Sequence, residues 1–321
     1  MPSATLFHVD DAVTFDDLDD VPGRIGRSSL LWVDADREAD GLRRAVATVG
    51  VDDGDLVHRL RDAPTSAALE DHGVYTRITA LAPDSGSREH ALVAIDCIVG
   101  ERWVLTVHEH PVAVLETFRE RAAGSGDTGR LDGTEFVATL LDWVLGEYAR
   151  AFEDVEAGLE QLDVRALEGQ LDDPEVELRR LVGHRRGVGE LHRALTRHRE
   201  PLIALTHPEL DALSTDESVR RFTALVARFE STVQSGRDAR SAVVASFDVL
   251  MARIEHRTNE ILKILTVASV LFLPGSLLAA LLGMNFDVGV FDHAVLFWWV
   301  VGLVVTVIVA TVVVARQRRW V

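Results

Sequence analysis

Two long runs without a single charged residue close this chain. Residues 264–282 and 294–315 contain no Asp, Glu, Lys or Arg. Each is about the length of helix, at ~1.5 Å per residue, that a ~30 Å hydrocarbon layer requires. The pattern predicts two membrane spans joined by a short loop. Upstream, apolar positions recur at helical spacing almost without relief from residue 134. One helix is predicted from Thr134 to Glu168 and a second from the Leu171-Asp172-Asp173-Pro174 turn to about His198. After breaks at Pro201 and His207-Pro208, a third begins near Ser214 or Thr215, with Asp216 and Glu217 in its first turn. If it runs unbroken to Leu282 it has about 68 residues and is ~100 Å long.

Nearer the N-terminus the period shortens. SLLWVD at 29–34 reads as a buried strand, and residues 36–49 have helical spacing. Further strands are predicted at 73–81, 91–99 and 103–108, the last two forming a hairpin through Gly100-Glu101-Arg102. Pro111 opens a helix to about Ala122. Residues up to about 25 read as a polar, Asp-rich lead-in, and 123–133 (AGSGDTGRLDG) as a linker. The expected organisation is an α/β (α+β) N-terminal cytoplasmic domain at 1–130 and a helical stalk at 131–263. Two transmembrane helices follow at 264–282 and 294–315, with an outer loop at 283–293 and a basic tail at 316–321.

Charge orients the spans. Lys263 precedes the first, and Arg316, Arg318 and Arg319 follow the second, while the loop between them has Asp287 and Asp292 and no basic residue. The positive-inside rule then places both termini in the cytoplasm of a cell membrane protein. Trp298, Trp299 and Trp320 suit the interfaces. Across the whole chain 51 acidic residues outweigh 33 basic ones, for a net charge of −18, and Lys263 is the sole lysine. Such a surface argues against a nucleic-acid partner. It fits either a salt-adapted organism or a high-GC genome. Cys97 is the single cysteine, which excludes an intrachain disulfide and a thiolate metal cluster. The acidic N-terminus lacks the apolar core of a signal peptide.

The first span carries a distinct stripe. Steps of four and three from Asp248 give Ala252, Glu255, Asn259, Leu262, Thr266, Ser269, Leu273, Ser276, Ala280 and Gly283. A 3.5-residue repeat suits helices packed around a common axis. One reading is a small-residue packing seam in lipid. The other is a pore lining, with Asn259, Thr266, Ser269 and Ser276 offering oxygens, Leu262 and Leu273 forming dry constrictions, and Asp248 and Glu255 gathering cations at the cytoplasmic mouth.

Gly283-Met284-Asn285, approached through TNEILKILT at 258–266 and FLP at 272–274, resembles the Gly-Met-Asn signature of the CorA magnesium transporter family. WVD at 32–34 and ERWVLTVHE at 101–109 resemble that family's cytoplasmic domain less specifically. The resemblance implies a funnel-shaped homopentamer in the bilayer, its first spans lining the pore and its second spans outside. It implies a selectivity filter at Gly283, Met284 and Asn285, with Asn285 holding the hydrated ion. Asn259 becomes an inner polar ring, Leu262 and Leu273 gates, Ser276 a pore hydroxyl and Asp248 a mouth acid. Mg²⁺ sheds water reluctantly, so neutral amide oxygens can hold its hydration shell without stripping it. The implied function is passive Mg²⁺ uptake gated by intracellular Mg²⁺, with no organic cofactor. Leu282, Pro274-Gly275-Ser276 and the loop DVGVFDHA depart from the family pattern.

Two alternatives stand beside it: a Zn²⁺, Co²⁺ or Ni²⁺ transporter on the same scaffold, as in the ZntB branch, and a membrane-anchored oligomeric sensor or scaffold. Met284 favours the magnesium side. Asp287 and Asp292 either draw cations to the outer mouth or cap and solvate a turn. His108-Glu109-His110 reads as a strand end rather than a metal pair, and His184, His192, His198 and His207 as surface or interhelix residues. The glycines at 124–133 lack the Lys-Ser or Lys-Thr of a phosphate loop, and no nucleophile is set beside a base, so no enzyme is expected.

Overall fold

The computed structural model describes residues 2–22, 26, 28–37, 40–51, 54–84, 91–170, 173–207, 216–283 and 294–317. These form two compact units, one of Met1–Val164 with Glu175–Phe247, the other of Arg165–Pro174 with Asp248–Val321.

The first unit is built on a seven-stranded mixed sheet in the order β2-β1-β3-β7-β6-β5-β4. Its strands are β1 (Ser3–Phe7), β2 (Ala12–Phe15), β3 (Leu30–Asp36), β4 (Ala68–Asp71), β5 (Thr76–Pro83), β6 (Leu92–Val99) and β7 (Trp103–His108). Only β3 and β7 run parallel; the other neighbours are antiparallel. Alternation along β3 decides what each face buries. Leu31, Val33 and Ala35 join Leu105 and Val107 under α1 (Leu42–Thr48) and α2 (Leu56–Arg61). Trp32 faces the other way, with its ring centroid 5.8 Å from Phe118 of α3 (Ala113–Ala123) and 5.4 Å from Phe136 of α4 (Gly133–Glu168).

The sequence pattern misses several parts of this unit. The Asp-rich lead-in contains the β1–β2 hairpin, whose registered pair Thr5 and Thr14 brings their hydroxyls to 3.4 Å. Residues 36, 37, 40 and 41 are not helical, because β3 continues to Asp36 in register with His108. Residues 123–133 are docked rather than loose: Thr128–Arg130 form a 3₁₀ turn, and Arg102 donates to the Gly129 carbonyl at 3.0 Å. A Cβ on Gly129 would overlap the His8 backbone, so only glycine fits there.

Two polar clusters fix the sheet. Asp96 is fully buried and accepts from Arg37 (2.8 Å), Arg77 (3.0 and 3.2 Å) and Thr79 (2.6 Å). On β5, the Leu81 N–H donates to His198 Nε2 and its carbonyl accepts from the Tyr148 hydroxyl, both at 2.9 Å. Both contacts attach helices to the sheet.

Tyr148 is on α4, and His198 lies between α5 (Pro174–Thr196) and α6 (Arg199–Ala204); α7 (Asp216–Gly283) follows. In this unit α7 buries Phe222, Leu225, Phe229, Val233, Ala239 and Val243, a stripe at three- and four-residue spacing. Gly236 lies in the stripe because a Cβ there would come within 2.9 Å of the Phe152 ring and of His192. α7 is one unbroken helix of 68 residues, continuing through Pro274 and Gly275.

The second unit holds the end of α4, the turn at Gly169, the remainder of α7 and α8 (Ala294–Gln317). Its one deeply buried stretch is short, with Ala166 and Leu250 fully covered.

Candidate functional site

Beyond Leu250 the described side chains of α7 are half-buried or exposed. Yet this is where the helix becomes apolar. A window of 18 residues has mean hydropathy 1.6, and none of it is buried within the chain. Phe272 is 77% exposed and Leu273 68%. The Trp298–Ala310 segment of α8 is apolar as well. Helices this apolar and this bare need lipid or another subunit around them.

All ten predicted stripe positions from Asp248 to Ala280 lie on α7, and each is exposed. Exposure alone does not choose their face, since Ile261, Ile264 and Leu265 are exposed too. Chemistry does distinguish it. Asp248 and Glu255 lie on the stripe with no ion pair to any described residue, whereas Arg253 and Arg257 lie roughly opposite at ~100° per residue and are unpaired as well. The unpaired acids and the unpaired arginines thus lie on opposite sides of one helix, while Glu260, on the arginine side, faces His256 at 3.7 Å.

The hydroxyls on the stripe share an arrangement that sequence spacing cannot reveal. Thr266 donates to the Leu262 carbonyl (2.7 Å), Ser269 to Leu265 (2.8 Å) and Ser276 to Leu273 (3.0 Å). With its proton committed to the helix backbone, each oxygen presents only lone pairs outward. A fully hydrated cation shows its surroundings the hydrogens of its waters. Such oxygens can receive them.

Gly283 is the last residue of α7. Met284, Asn285, Asp287 and Asp292 lie outside the described residues. The other candidates resolve into structure. His108 is buried beside Asp34 at 3.2 Å, with Arg119 and Thr106 on the same carboxylate. Burial pushes the Asp34 carboxyl up, but those partners outweigh it and hold the group below its ordinary range. Of the two positions expected for His198, surface or interhelix, the structure gives the interior one, between α5 and α6, where it clamps β5. Among the described residues, no group of three or more His, Cys, Asp or Glu side chains is placed to hold a metal.

The family model described as CorA-like Mg²⁺ transporter protein matches residues 27–317, well over half the chain. The chain belongs to that family. It is accordingly a CorA-type divalent cation transporter, integral to the membrane. The cobalt/magnesium transport protein CorA of Methanocaldococcus jannaschii is 23% identical over 298 residues, covering 91% of this chain and 92% of that protein. The complete structure of the CorA magnesium transporter from the same organism aligns with a TM-score of 0.78 at 20% identity, covering 100% and 99% of the two chains. The ZntB cytoplasmic domain from Vibrio parahaemolyticus aligns with a TM-score of 0.61 at 9% identity, over 78% of this chain and 98% of that domain. Likeness at these identities is likeness of fold alone.

Proposed function

We propose that this CorA-type transporter passes Mg²⁺ inward, down its electrochemical gradient, through a pore lined by α7 in a homopentamer. The observation that carries the reading is the continuity of α7. One helix runs from the sheet-containing unit to Gly283 and bears an unpaired acid, an amide and outward-facing hydroxyl oxygens on a single stripe. Residues 1–130 form the cytoplasmic domain, 131–263 the stalk, and 264–282 and 294–315 the spans, with both termini inside.

Each group has a physical task. Asp248 and Glu255 concentrate cations at the inner mouth. Leu262 and Leu273 form constrictions that dewet when the helices close together. Thr266, Ser269 and Ser276 accept hydrogen bonds from the waters of the passing ion. At the outer end Gly283, Met284 and Asn285 form the filter, where the Asn285 amides hold the hydrated ion and, being neutral, release it. Asp287 and Asp292 draw cations to that end. A straight helix would carry a 3.5-residue stripe around by ~20° per heptad, so the α7 helices supercoil left-handedly to keep it on the axis. Intracellular Mg²⁺ bound between cytoplasmic domains holds the pore shut. No organic cofactor takes part, and no bond is made or broken, so the protein is a transporter and not an enzyme.

The experiment is Mg²⁺ influx into proteoliposomes with a trapped indicator under an inside-negative potential, with Zn²⁺, Co²⁺ and Ni²⁺ in parallel. Asn285→Ala is expected to abolish potential-driven Mg²⁺ entry. Zn²⁺ entry that follows a proton gradient would instead place the protein in the zinc branch. Absence of any flux from a folded oligomer would leave the sensor or scaffold reading in its place. Feedback is checked by loading the vesicles with Mg²⁺: unchanged flux and unchanged protease sensitivity would overturn it.

A further inference from the structure

On α7, the face turned away from the stripe holds a second site. A cavity of about 340 Å³ lies against it, lined by Gly169 after the end of α4 and by Arg253, Ile254, Arg257, Glu260 and Ile261 of α7. Arg253 and Arg257 are four residues apart on one side of the helix, where like charges repel. Neither has a hydrogen bond or ion pair to any described residue. The sole acid of the lining, Glu260, faces His256 at 3.7 Å. Most other arginines of the stalk have an acid partner within the chain, such as Arg179 with Glu175, Arg199 with Glu230 and Arg228 with Asp142. Arg253 lies close against the turn at Gly169. Gly169 has φ 76°, and a Cβ there would lie 2.6 Å from an Arg253 guanidinium nitrogen, so the turn leaves room for that group to settle against its backbone.

We propose that Arg253 and Arg257 bind the anionic headgroup of a membrane phospholipid in the cytoplasmic leaflet. The location selects the ligand. Arg257 precedes the uncharged run by seven residues, ~10 Å of helix, and the headgroup layer is ~5–7 Å deep on each side of the core. A long arginine side chain spans the difference. Arg253, a turn further out, meets the outer part of the same headgroup. Ile254 and Ile261 give the cavity an apolar wall that continues into the lipid-facing part of the span. Beside Glu260, which faces His256, the charges nearest this boundary are Lys263 and Arg316, both basic, so a single acid of the lining stands against the headgroup. The orientation rests on the pore reading, because the arginines face lipid only if the stripe faces the axis.

The test is native mass spectrometry of the full-length protein in detergent, titrated with dioleoylphosphatidylglycerol and with dioleoylphosphatidylcholine. It requires no transport, so it stands or fails separately from the flux experiment. The expected result is at least tenfold tighter retention of phosphatidylglycerol. That preference is lost in Arg253→Gln/Arg257→Gln and in Gly169→Ala, which displaces Arg253, and is kept in Arg179→Gln and Asn285→Ala. Wild-type affinity for phosphatidylglycerol in the double variant, shown to be folded and of native oligomeric state, would overturn the proposal. So would equal retention of phosphatidylcholine, or displacement of the lipid by an equal concentration of glycerol phosphate, which would make the site one for free phosphate.

Discussion

At the scale of single residues, His198 shows how far a side chain's role can depart from its sequence neighbourhood. It lies just after α5, among arginines, which leaves a surface or an interhelix position open. In the structure it is 5% exposed, with Nδ1 donating to the Ala194 carbonyl and Nε2 accepting the Leu81 N–H. That pairing requires the neutral ring. Burial pushes its pKa down to about 4, and the backbone carbonyls offset only part of the fall. A folded value below the ordinary one means that the unfolded chain binds the proton more readily. The stabilisation is therefore fully present above pH 6.5 and is lost as pH falls toward about 4. It amounts to about 3 kcal/mol over that window. The midpoint of thermal unfolding of the full-length protein is expected to fall across this range, and His198→Gln is expected to flatten that dependence. An unchanged slope in the variant would assign the acid sensitivity elsewhere. No periodicity could have disclosed this residue, because its partner is on β5, more than a hundred positions away.

At the scale of elements, legibility followed the strength of the hydrophobic pattern. β3, β6 and β7 are dense in Val, Ile and Leu and were predicted within two residues of their bounds. The third helix was predicted to have about 68 residues, and α7 has 68. The β1–β2 hairpin escaped because its strands are five and four residues long and lie among aspartates, and β2 is an edge strand with no buried residue to mark it. α2 and β4 escaped for the same reason, being six and four residues. Gly236 is the converse case. A glycine inside a helix lowers its intrinsic stability by ~1 kcal/mol relative to alanine, so sequence alone reads it as a weak point. Its place against Phe152 and His192 makes it a point of close helix contact. Gly236→Leu is expected to destabilise the α4–α5–α7 packing by about 1–3 kcal/mol, measured by denaturant unfolding, through overpacking rather than helix propensity. A stabilised variant would mean that the helices can separate there at little cost.

At the scale of the whole molecule, the two apolar helices near the C-terminus were readable because lipid imposes length and charge constraints that composition displays directly. The sorting of unpaired acids and arginines onto opposite faces, and the outward lone pairs of Thr266, Ser269 and Ser276, were not readable, since both depend on which contacts a side chain does and does not make. The assignment of Asn285 rests on its motif. The acids permit an argument about the assembled pore. Five copies of Asp248 and Glu255 around one axis would act through a field rather than through contacts, and a field is screened by salt. The Debye length falls from ~10 Å at 0.1 M to ~3 Å at 1 M. Asp248→Asn/Glu255→Gln is therefore expected to lower cation flux by about tenfold at low ionic strength, with the difference closing as inert salt approaches molar concentration. The measurement is indicator flux in proteoliposomes at a series of choline chloride concentrations, matched on both sides. A loss that persists undiminished at high salt would mean that these carboxylates bind the ion directly instead of concentrating it. No loss at any salt would remove them from the pathway, and with them the cytoplasmic end of the stripe.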